Sequence, residues 1–284
     1  MAMEKMRITA NAKINLALAI KHRRPDGYHE LESIFQEIDF GDDLEIHKSE
    51  GIQFSSDFKA LESDPSNLCT AAAGLMMRSF GIPGLAINLH KRIPVGAGLG
   101  GGSSDAAAVL RAADRLFGLE LGPEGLRRPA EQLGSDVPFF LYGKTAYVAG
   151  RGEVIKPLSG GTSYYLLLVF PDVNIPTSWA YKNLDLDLTK KLHDHKFKGF
   201  EFHKTAIADF RNSYFNDFEK TVFTAYPALQ EIRKRVYDAG ADFAAMSGSG
   251  STIFGVFADE SCARDASEIL KPVFNVQLAR PILG

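Results

Sequence analysis

The segment that most constrains this chain is a glycine-rich run that leads directly into an alanine-rich helix pattern. Five of the seven residues from Gly96 to Gly102 are glycine. Glycine adopts positive φ at no steric cost, and its missing Cβ lets a ligand approach the backbone closely. The pattern therefore predicts a loop that ends at the N-terminus of an amphipathic helix, with Gly118 as the helix stop. The inward-facing residues of that helix would be Val109, Leu110, Ala113, Leu116 and Phe117.

A loop of this kind is typical of an anion-binding site. The first N–H groups of a helix have no partner within the helix and lie at the positive end of its dipole, so phosphate is the expected occupant. Ser103 or Ser104 can cap the helix or donate a hydroxyl to a phosphate or a metal ion. The segment lacks the ending of a Walker A loop and the context of a dinucleotide-binding fingerprint. A flexible linker is the alternative, but the helix pattern that follows at once disfavours it.

A second glycine-serine cluster, Ser247–Ser251, lies between two strand-like runs. It is compatible with a simple hairpin turn, or with a second loop that closes over the same polyphosphate. Helix and strand patterns alternate in both halves of the chain, which indicates an α+β protein. Ser159–Thr162 is the best candidate for a linker, so we predict an N-terminal domain over residues 1–158 and a C-terminal domain over residues 163–284.

Three local patterns make specific structural predictions. Apolar residues alternate from Ile8 to Ile20, as in a strand with one buried face, which places Lys13 and Asn15 on the opposite, polar face. The segment Gly41-Asp42-Asp43 predicts a turn between two strands. The spacing of apolar residues from Asn216 to Ala239 predicts one long helix.

Composition disfavours several classes of protein. The chain has 32 Lys and Arg against 35 Asp and Glu, a net charge of −3, whereas broad binding to nucleic acid or anionic membranes needs a basic excess. The longest apolar run, Tyr164–Phe170, is about a third of a membrane span, and residues 1–7 lack the apolar core of a signal peptide. Two cysteines are too few for a disulfide framework. We therefore expect a cytoplasmic protein that acts on a small molecule, with no nucleic-acid or membrane partner.

Several polar residues outside the glycine-rich loops are candidates for chemistry, and each has a plainer alternative. Lys13 alone would usually be a solvated lysine, and Asp136 would equally well be a helix cap. Tyr28 and His29 follow an Asp-Gly turn, where an aromatic ring and an imidazole can stack on and hydrogen-bond a base, although loop aromatics usually pack. The sequence His193-Asp194-His195 suggests metal ligands, but its lysine-rich setting favours a solvated segment.

Together these segments resemble the GHMP kinase superfamily, which includes galactokinase and the homoserine, mevalonate and phosphomevalonate kinases. Pro94–Ser104 is similar to its phosphate-binding motif, and Ser247–Ser251 to its C-terminal glycine-rich motif. Within the superfamily, four segments resemble the members that phosphorylate the 2-hydroxyl of a cytidine diphosphate conjugate of methylerythritol, in the non-mevalonate route to isoprenoid precursors. These segments are Ala12–Leu16, Arg24–His29, Gly100–Ala107 and Gly134–Pro138.

The resemblance implies a fold, a cofactor and a set of site residues. The implied fold is an N-terminal ribosomal-S5-domain-2-like unit and a C-terminal ferredoxin-like unit, with the active site between them. ATP is the implied phosphoryl donor, with Mg²⁺, for which Ser104 is the candidate ligand. Lys13 and Asp136 match the catalytic pair. The implied ATP-binding residues are Pro94, Val95, Gly96, Ala97, Gly98, Leu99, Gly100, Gly101, Gly102, Ser103, Ser104, Gly248, Ser249 and Gly250. The implied substrate-binding residues are Asn15, Tyr28, His29, Thr177 and Tyr181.

The chain departs from the family pattern in two places, and other functions compete. The resemblance is weakest from Lys191 to Asn216, and Ser135 stands where many members have alanine. The nearest alternative is a GHMP kinase for homoserine, mevalonate or a sugar, but those acceptors carry no base for Tyr28 and Tyr181 to bind. The net charge disfavours an RNA-binding module, and the missing fingerprint disfavours a nicotinamide-dependent enzyme.

Overall fold

The computed structural model describes residues 4–184 and 205–284, so His193-Asp194-His195 and much of the Lys191–Asn216 segment lie outside the described residues. Strands and helices alternate along the described chain, which confirms the predicted α+β class. The strands are β1 (Lys5–Arg23), β2 (His29–Lys48), β3 (Gly51–Ser56), β4 (Gly84–His90), β5 (Thr145–Gly150), β6 (Val154–Pro157), β7 (Tyr165–Phe170), β8 (Phe243–Met246), β9 (Ile253–Phe257) and β10 (Asn275–Ala279). The helices are α1 (Leu68–Phe80), α2 (Gly101–Phe117), α3 (Gly122–Leu133), α4 (Phe139–Tyr142), α5 (Thr177–Lys182), α6 (Phe210–Ser213), α7 (Phe218–Ala225), α8 (Pro227–Asp238) and α9 (Glu260–Leu270).

The chain divides into two compact units whose members are not contiguous in sequence. Strands β1 and β2 and the glycine-rich loop each contribute residues to both units. The linker predicted at Ser159–Thr162 has no regular secondary structure, and the domain boundary that it suggests stays a prediction. Unit 1 comprises Met1–Ala12, Phe40–Val95 and Gly100–Gly143, and unit 2 comprises Lys13–Asp39, Gly96–Leu99 and Lys144–Gly284.

In unit 1, strands and helices form separate layers. The C-terminal part of β2 pairs antiparallel with β4, and β4 pairs parallel with β3, a strand that the sequence patterns did not predict. Helix α1 begins where the Asn67 side chain accepts hydrogen bonds from two backbone N–H groups, and it ends at Gly81, whose φ is 67°. Helix α1 packs against α2 and α3. The helix predicted after the glycine-rich loop is confirmed as α2, which ends at Gly118 with a φ of 62°.

In unit 2, two sets of antiparallel strands carry the loops. The N-terminal part of β2 pairs with β5, and β5 pairs with β6. A four-stranded sheet has the order β10-β7-β9-β8. Helix α8 packs on β8 and β9, while α9 packs on β7 and β10, and the buried Phe254 and Phe257 lie in this core. The Ser247–Ser251 segment is the turn of the β8–β9 hairpin, as the first of its two alternatives predicts.

The prediction of one buried face for the first strand is wrong beyond Ala12. From there to Ile20, β1 is buried on both faces, and Lys13 and Asn15 are only 3% and 2% exposed. The covering groups come from distant parts of unit 2, such as Ser247, which bonds to the Asn15 backbone 232 residues away. Alternating apolar residues in a sequence indicate that one face of a strand is buried. Burial of the other face by polar groups leaves no such pattern in the sequence.

The predicted turn at Gly41 is also wrong, because β2 continues through it. A Cβ on Gly41 would lie 2.6 Å from the carbonyl oxygen of Ala10, so glycine is needed here for the close approach of β1. The next residue, Asp42, is fully buried, and its carboxylate accepts hydrogen bonds from the backbone N–H groups of Arg92 and Ile93. Asp42 thus serves a buried contact instead of a turn.

The single long helix predicted from Asn216 to Ala239 is two helices, α7 and α8. They are separated at Tyr226, and Pro227 begins the second helix. Proline has no N–H to continue the hydrogen bonds of the preceding helix, but it is well suited to a first helical position. The apolar spacing continues across the break because both helices bury a face in the same unit.

Candidate functional site

The glycine-rich loop and the start of α2 have the backbone geometry expected of an anion site. Gly96, Gly98 and Gly100 have φ values of 72°, 77° and 70°, a region that side chains with a Cβ rarely adopt. Gly100 is the N-cap of α2, and no side chain caps the helix. The suggestion that Ser103 or Ser104 caps it is therefore wrong, since both lie inside the first turn. The amides of that turn suit an anion.

Ser104 has a second property that fits a ligand site. It is 1% exposed, and its hydroxyl forms no hydrogen bond with any residue that the structure describes. A buried hydroxyl without a partner is costly, so such a group calls for an explanation, and a bound ion is one. The Ser104 hydroxyl is thus a candidate ligand for a phosphate oxygen or a cation.

Within unit 2, the two glycine-rich segments are in direct contact. The Ser247 hydroxyl donates a hydrogen bond of 2.9 Å to the Gly98 carbonyl, and the Thr252 N–H donates to the Ala97 carbonyl. A Cβ on Gly98 would lie 2.1 Å from the Ser247 carbonyl oxygen, so only glycine fits there. Ser247–Ser251 is therefore a hairpin turn that also lies against the Gly96–Leu99 part of the first loop, and its closing over a shared polyphosphate stays a prediction.

Lys13 and Asn15 lie beside these two loops. The Lys13 ammonium group donates hydrogen bonds to Asn15 Oδ1 at 2.7 Å and to the Gly98 carbonyl at 3.3 Å, and it lies 4.6 Å from the centre of the Phe35 ring. The Asn15 N–H donates to the Ser247 hydroxyl. The structure therefore brings together a predicted catalytic residue, a predicted substrate contact and both predicted ATP loops.

Asp136 lies in unit 1, in the turn between α3 and α4, where it is half-buried. The N-cap of α4 is Pro138, without a capping side chain. The helix-cap alternative for Asp136 is therefore wrong for the helix that follows it. Lys13 belongs to unit 2, so the pairing of these two residues stays a prediction.

Two of the predicted base-binding residues, His29 and Tyr181, belong to an aromatic cluster in unit 2. His29 and Tyr181 are stacked, with ring centroids 4.9 Å apart and an angle of 22° between the planes. Phe218 packs edge-on against Tyr181. Tyr28 is 54% exposed, and the Arg151 guanidinium lies 4.8 Å from its ring centre. Rings from three separate parts of the sequence thus converge.

The electrostatic state of His29 suits recognition of a neutral base. Burial, and to a smaller extent the positive charge of Arg23, lower the pKa of His29 below its ordinary value. A neutral imidazole offers one N–H donor and one nitrogen acceptor. Nearby in the same unit, the hydroxyls of Thr177 and Ser249 are 3.1 Å apart, so a predicted substrate contact touches a predicted ATP contact.

Two features of the site were not predicted from the sequence. Asn216 in unit 2 bonds to the Ser247–Ser251 turn. In unit 1, the Lys91 ammonium group pairs with the carboxylates of Asp42 and Asp105. Burial, with a contribution from Asp42, raises the pKa of Asp105 to about 8. The sequence does contain a signal for this cluster. Asp105 lies one helical turn before the inward-facing Val109, so it falls on the same face of the helix.

In residues 4–184 and 205–284, no group of three or more His, Cys, Asp or Glu side chains is arranged to hold a metal ion. Over the same residues, none of the helices combines the length and apolar character needed to cross a membrane.

Comparison with known proteins identifies the family. A family model for the GHMP kinases N terminal domain matches residues 67–144, and one for the GHMP kinases C terminal domain matches residues 201–275. A 4-diphosphocytidyl-2-C-methyl-D-erythritol kinase of Chlorobaculum tepidum is 40% identical over 97% of this chain and 97% of its own. One from Bacteroides fragilis is 41% identical over 88% of this chain and 91% of its own.

Solved structures agree with these relatives. A crystal structure of 4-(cytidine 5'-diphospho)-2C-methyl-D-erythritol kinase matches with a TM-score of 0.83 and 35% identity, covering 98% of this chain and all of that one. Homoserine kinase from Cytophaga hutchinsonii matches with a TM-score of 0.78 at 18% identity, covering 100% of this chain and 96% of that one, which shows a shared fold. The predicted α+β GHMP kinase fold and kinase activity, with ATP as phosphoryl donor, are confirmed. The chain belongs to the GHMP kinase superfamily and, within it, to the family of 4-diphosphocytidyl-2-C-methyl-D-erythritol kinases.

Proposed function

We propose that this chain transfers the γ-phosphoryl group of ATP to the 2-hydroxyl of 4-diphosphocytidyl-2-C-methyl-D-erythritol. The observation that carries the proposal is the stacked pair of His29 and Tyr181, within a family whose members are named for this acceptor. Cytosine offers an amino donor next to ring acceptors, which a neutral imidazole can match with its own acceptor and donor. Homoserine and mevalonate have no such ring.

In this proposal the triphosphate of ATP binds to Pro94–Ser104 and to Gly248–Gly250. The support is the uncapped first turn of α2 and the contact between Gly98 and Ser247. Backbone N–H groups at a helix start bind phosphate without needing a positively charged side chain.

Mg²⁺ is the expected companion of ATP, and the residues fit it. Mg²⁺ prefers oxygen ligands and commonly uses one or two groups of the protein together with substrate phosphates, so a cluster of carboxylates is not required. The buried Ser104 hydroxyl, which has no partner among the described residues, is an oxygen ligand of the right kind. When bound, Mg²⁺ would neutralise charge on the triphosphate.

Asp136 and Lys13 act on the 2-hydroxyl of the acceptor. The oxygen of the 2-hydroxyl forms a bond to the γ-phosphorus as the bond from that phosphorus to the bridging oxygen of ADP breaks. Asp136 accepts the hydroxyl proton, which is the ordinary role of a general base. The Lys13 ammonium group, fixed by Asn15 and the Gly98 carbonyl, stabilises the negative charge that develops.

The acceptor itself is held by residues of unit 2. Tyr28 and Tyr181 stack on the cytosine, and His29 forms hydrogen bonds with its edge. Asn15 and Thr177 contact the remainder of the substrate. Support for this placement comes from the exposed ring of Tyr28 and from the lowered pKa of His29.

The test is an acceptor panel with purified protein, ATP labelled in the γ-phosphate, and Mg²⁺. The panel contains the cytidine diphosphate conjugate, free methylerythritol, homoserine and mevalonate. We expect rapid labelling of the cytidine diphosphate conjugate and little or none of the others. Preferential labelling of homoserine, of mevalonate or of free methylerythritol would refute the proposed acceptor.

A further inference from the structure

Asn216 uses its whole side-chain amide to hold the Ser247–Ser251 turn and its own helix. It is 6% exposed. Its Nδ2 group donates two hydrogen bonds of 2.7 Å, one to the Met246 carbonyl and one to the Gly248 carbonyl. Its Oδ1 accepts a hydrogen bond from the Phe218 N–H at the start of α7. Because an amide nitrogen carries two hydrogens, both of its donors are occupied.

Strand β1 fixes the position of Asn216. The Leu18 N–H donates to the Phe215 carbonyl, and the Asp217 N–H donates back to the Leu18 carbonyl. The Asp217 carboxylate accepts a further hydrogen bond from the Ile20 N–H at 2.7 Å. The asparagine is thus held by the same strand that carries Lys13 and Asn15.

The bond to Gly248 also sets the direction of the next N–H group. In a trans peptide, the carbonyl and the N–H of one peptide unit point in opposite directions. Because Asn216 holds the Gly248 carbonyl, the Ser249 N–H points away from Asn216. Gly248 has a φ of 57°, and a Cβ there would lie 3.2 Å from the Gly98 carbonyl oxygen, so this peptide also lies against the first glycine-rich loop.

We infer that Asn216 is a positioning residue for the nucleotide, which orients the Ser249 N–H and the Ser247–Ser251 turn for binding to a phosphate of ATP. The inference rests on the proposed function only in taking ATP as the ligand of this turn. Asn216 acts through the peptide that it holds and needs no contact with the nucleotide.

The test compares two variants of Asn216 with a matched control. Asn216→Asp keeps the shape but turns the donor into a carboxylate that faces two carbonyl oxygens, and Asn216→Ala removes the donor. The control is Gln36→Glu. Gln36 is a fully buried amide of the same unit. It also donates to backbone carbonyls, those of Glu37 and Ile282, and among the described residues its side-chain hydrogen bonds reach neither glycine-rich segment.

The readouts are the Kd of ATP with Mg²⁺, measured by calorimetry on the full chain, the KM for ATP and kcat, and the thermal melt. We expect both Asn216 variants to raise the Kd and the KM for ATP about tenfold or more, a loss of about 1.4 kcal/mol of binding free energy, with a smaller change in kcat. Gln36→Glu should lower the Tm and leave ATP affinity within about twofold of wild type.

ATP affinity within about twofold of wild type in a folded Asn216 variant would overturn the inference. An equal loss of ATP affinity in Gln36→Glu would do the same, and so would failure of both Asn216 variants to fold, since Asn216 would then be purely structural. Calorimetry with ATP needs no acceptor, so an error in the proposed acceptor would appear in the acceptor panel and leave this result unaffected.

Discussion

The Lys13 ammonium group is buried, and a buried cation is stable only where polar groups or opposite charge surround it. Asn15 and the Gly98 carbonyl contribute two such groups. They also fix the ammonium group against the backbone of the glycine-rich loop, where a transferred phosphoryl group would pass. Burial of this kind is expected of a residue that stabilises developing charge in a site with little water.

Loss of the Asp136 carboxylate tests the proposed catalytic pair. Asp136→Asn should lower kcat by about 10²- to 10⁴-fold, the usual contribution of a general base, with small changes in both KM values. Lys13→Met should have a similar effect, and the double variant should be scarcely worse than the worse single one, because residues that act as a unit fail together.

Steady-state kinetics beside thermal melts decide this question. Asp114→Asn is the matched control, since Asp114 lies in the same unit and accepts hydrogen bonds from the backbone N–H groups of Leu121 and Gly122. Asp114→Asn should lower the Tm and leave kcat near the wild-type value. If folded Asp136→Asn retains more than about a tenth of kcat, Asp136 is not the base.

Removal of the Tyr181 ring tests recognition of the base. Stacking on an aromatic ring contributes about 1–3 kcal/mol per base, so Tyr181→Ala should raise the KM for the cytidine diphosphate acceptor about tenfold or more and leave the KM for ATP nearly unchanged. Tyr237→Ala is the control, because that ring packs under Arg211 and bonds to Ala244 instead. Parallel increases in both KM values would argue against a role for Tyr181 in base binding.

At the level of the elements, the start of α2 is where added side chains are most informative. A Cβ on Gly101 would meet the Lys91 ammonium nitrogen at 2.9 Å and Ile93 at 3.0 Å, so a substitution there disturbs the core. A Cβ on Gly102 would have only Leu68 at 3.7 Å, which is an ordinary contact. A substitution of Gly102 can therefore affect ligand binding without disturbing the fold.

Gly102→Ala should keep or raise the Tm, because alanine favours a helix over glycine by about 1 kcal/mol. It should weaken ATP binding, because the added methyl group occupies space where a phosphate would approach the backbone. Gly74→Ala within α1 is the control, with the same gain in helix propensity at a position far from the loop in sequence. Calorimetry with ATP and thermal melts of both variants check this, and undiminished ATP affinity in Gly102→Ala would contradict a phosphate site at the first turn.

A buried charge cluster connects three elements of unit 1. Asp42 belongs to β2, Lys91 follows β4, and Asp105 belongs to α2. Burial raises the pKa of Asp105 to about 8. The folded protein therefore keeps a proton on Asp105 that the unfolded chain releases above about pH 4.

The free energy of unfolding should consequently decrease as the pH rises from about 4 to about 8, since the folded state binds the additional proton. Asp105→Asn, which has the shape of the protonated acid, should remove this component. Thermal melts between about pH 4 and pH 8 measure it. If the wild type and Asp105→Asn lose stability with the same slope, Asp105 does not carry the proton.

The sequence predicted helices and strands correctly where one local signal determined the structure. Helix α2 follows the glycine-rich loop and ends at Gly118, as the local pattern predicts. Two of the failures share a cause, because each depended on a contact distant in sequence. The sequence around Gly41 predicts a turn because the approach of Ala10 leaves no local trace, and the Asn15 backbone bonds to Ser247 from the far end of the chain.

At the scale of the whole molecule, the fold alone does not identify the acceptor. Homoserine kinase has the same fold at 18% identity, whereas the relatives at about 40% identity share one acceptor in their names. The sequence could propose candidate site residues because they fall in short motifs. It could not predict Asn216, since an asparagine next to a helix start is ordinary until its bond to the Gly248 carbonyl is seen.

The most direct test of the central claim is identification of the product. Purified protein, ATP and Mg²⁺ are incubated with 4-diphosphocytidyl-2-C-methyl-D-erythritol, and phosphorus NMR locates the new phosphate while ADP is quantified. The account predicts one ADP for each acceptor consumed and a single product with its new phosphate on the 2-hydroxyl. A phosphate on another hydroxyl, or formation of ADP at the same rate without the acceptor, would contradict it.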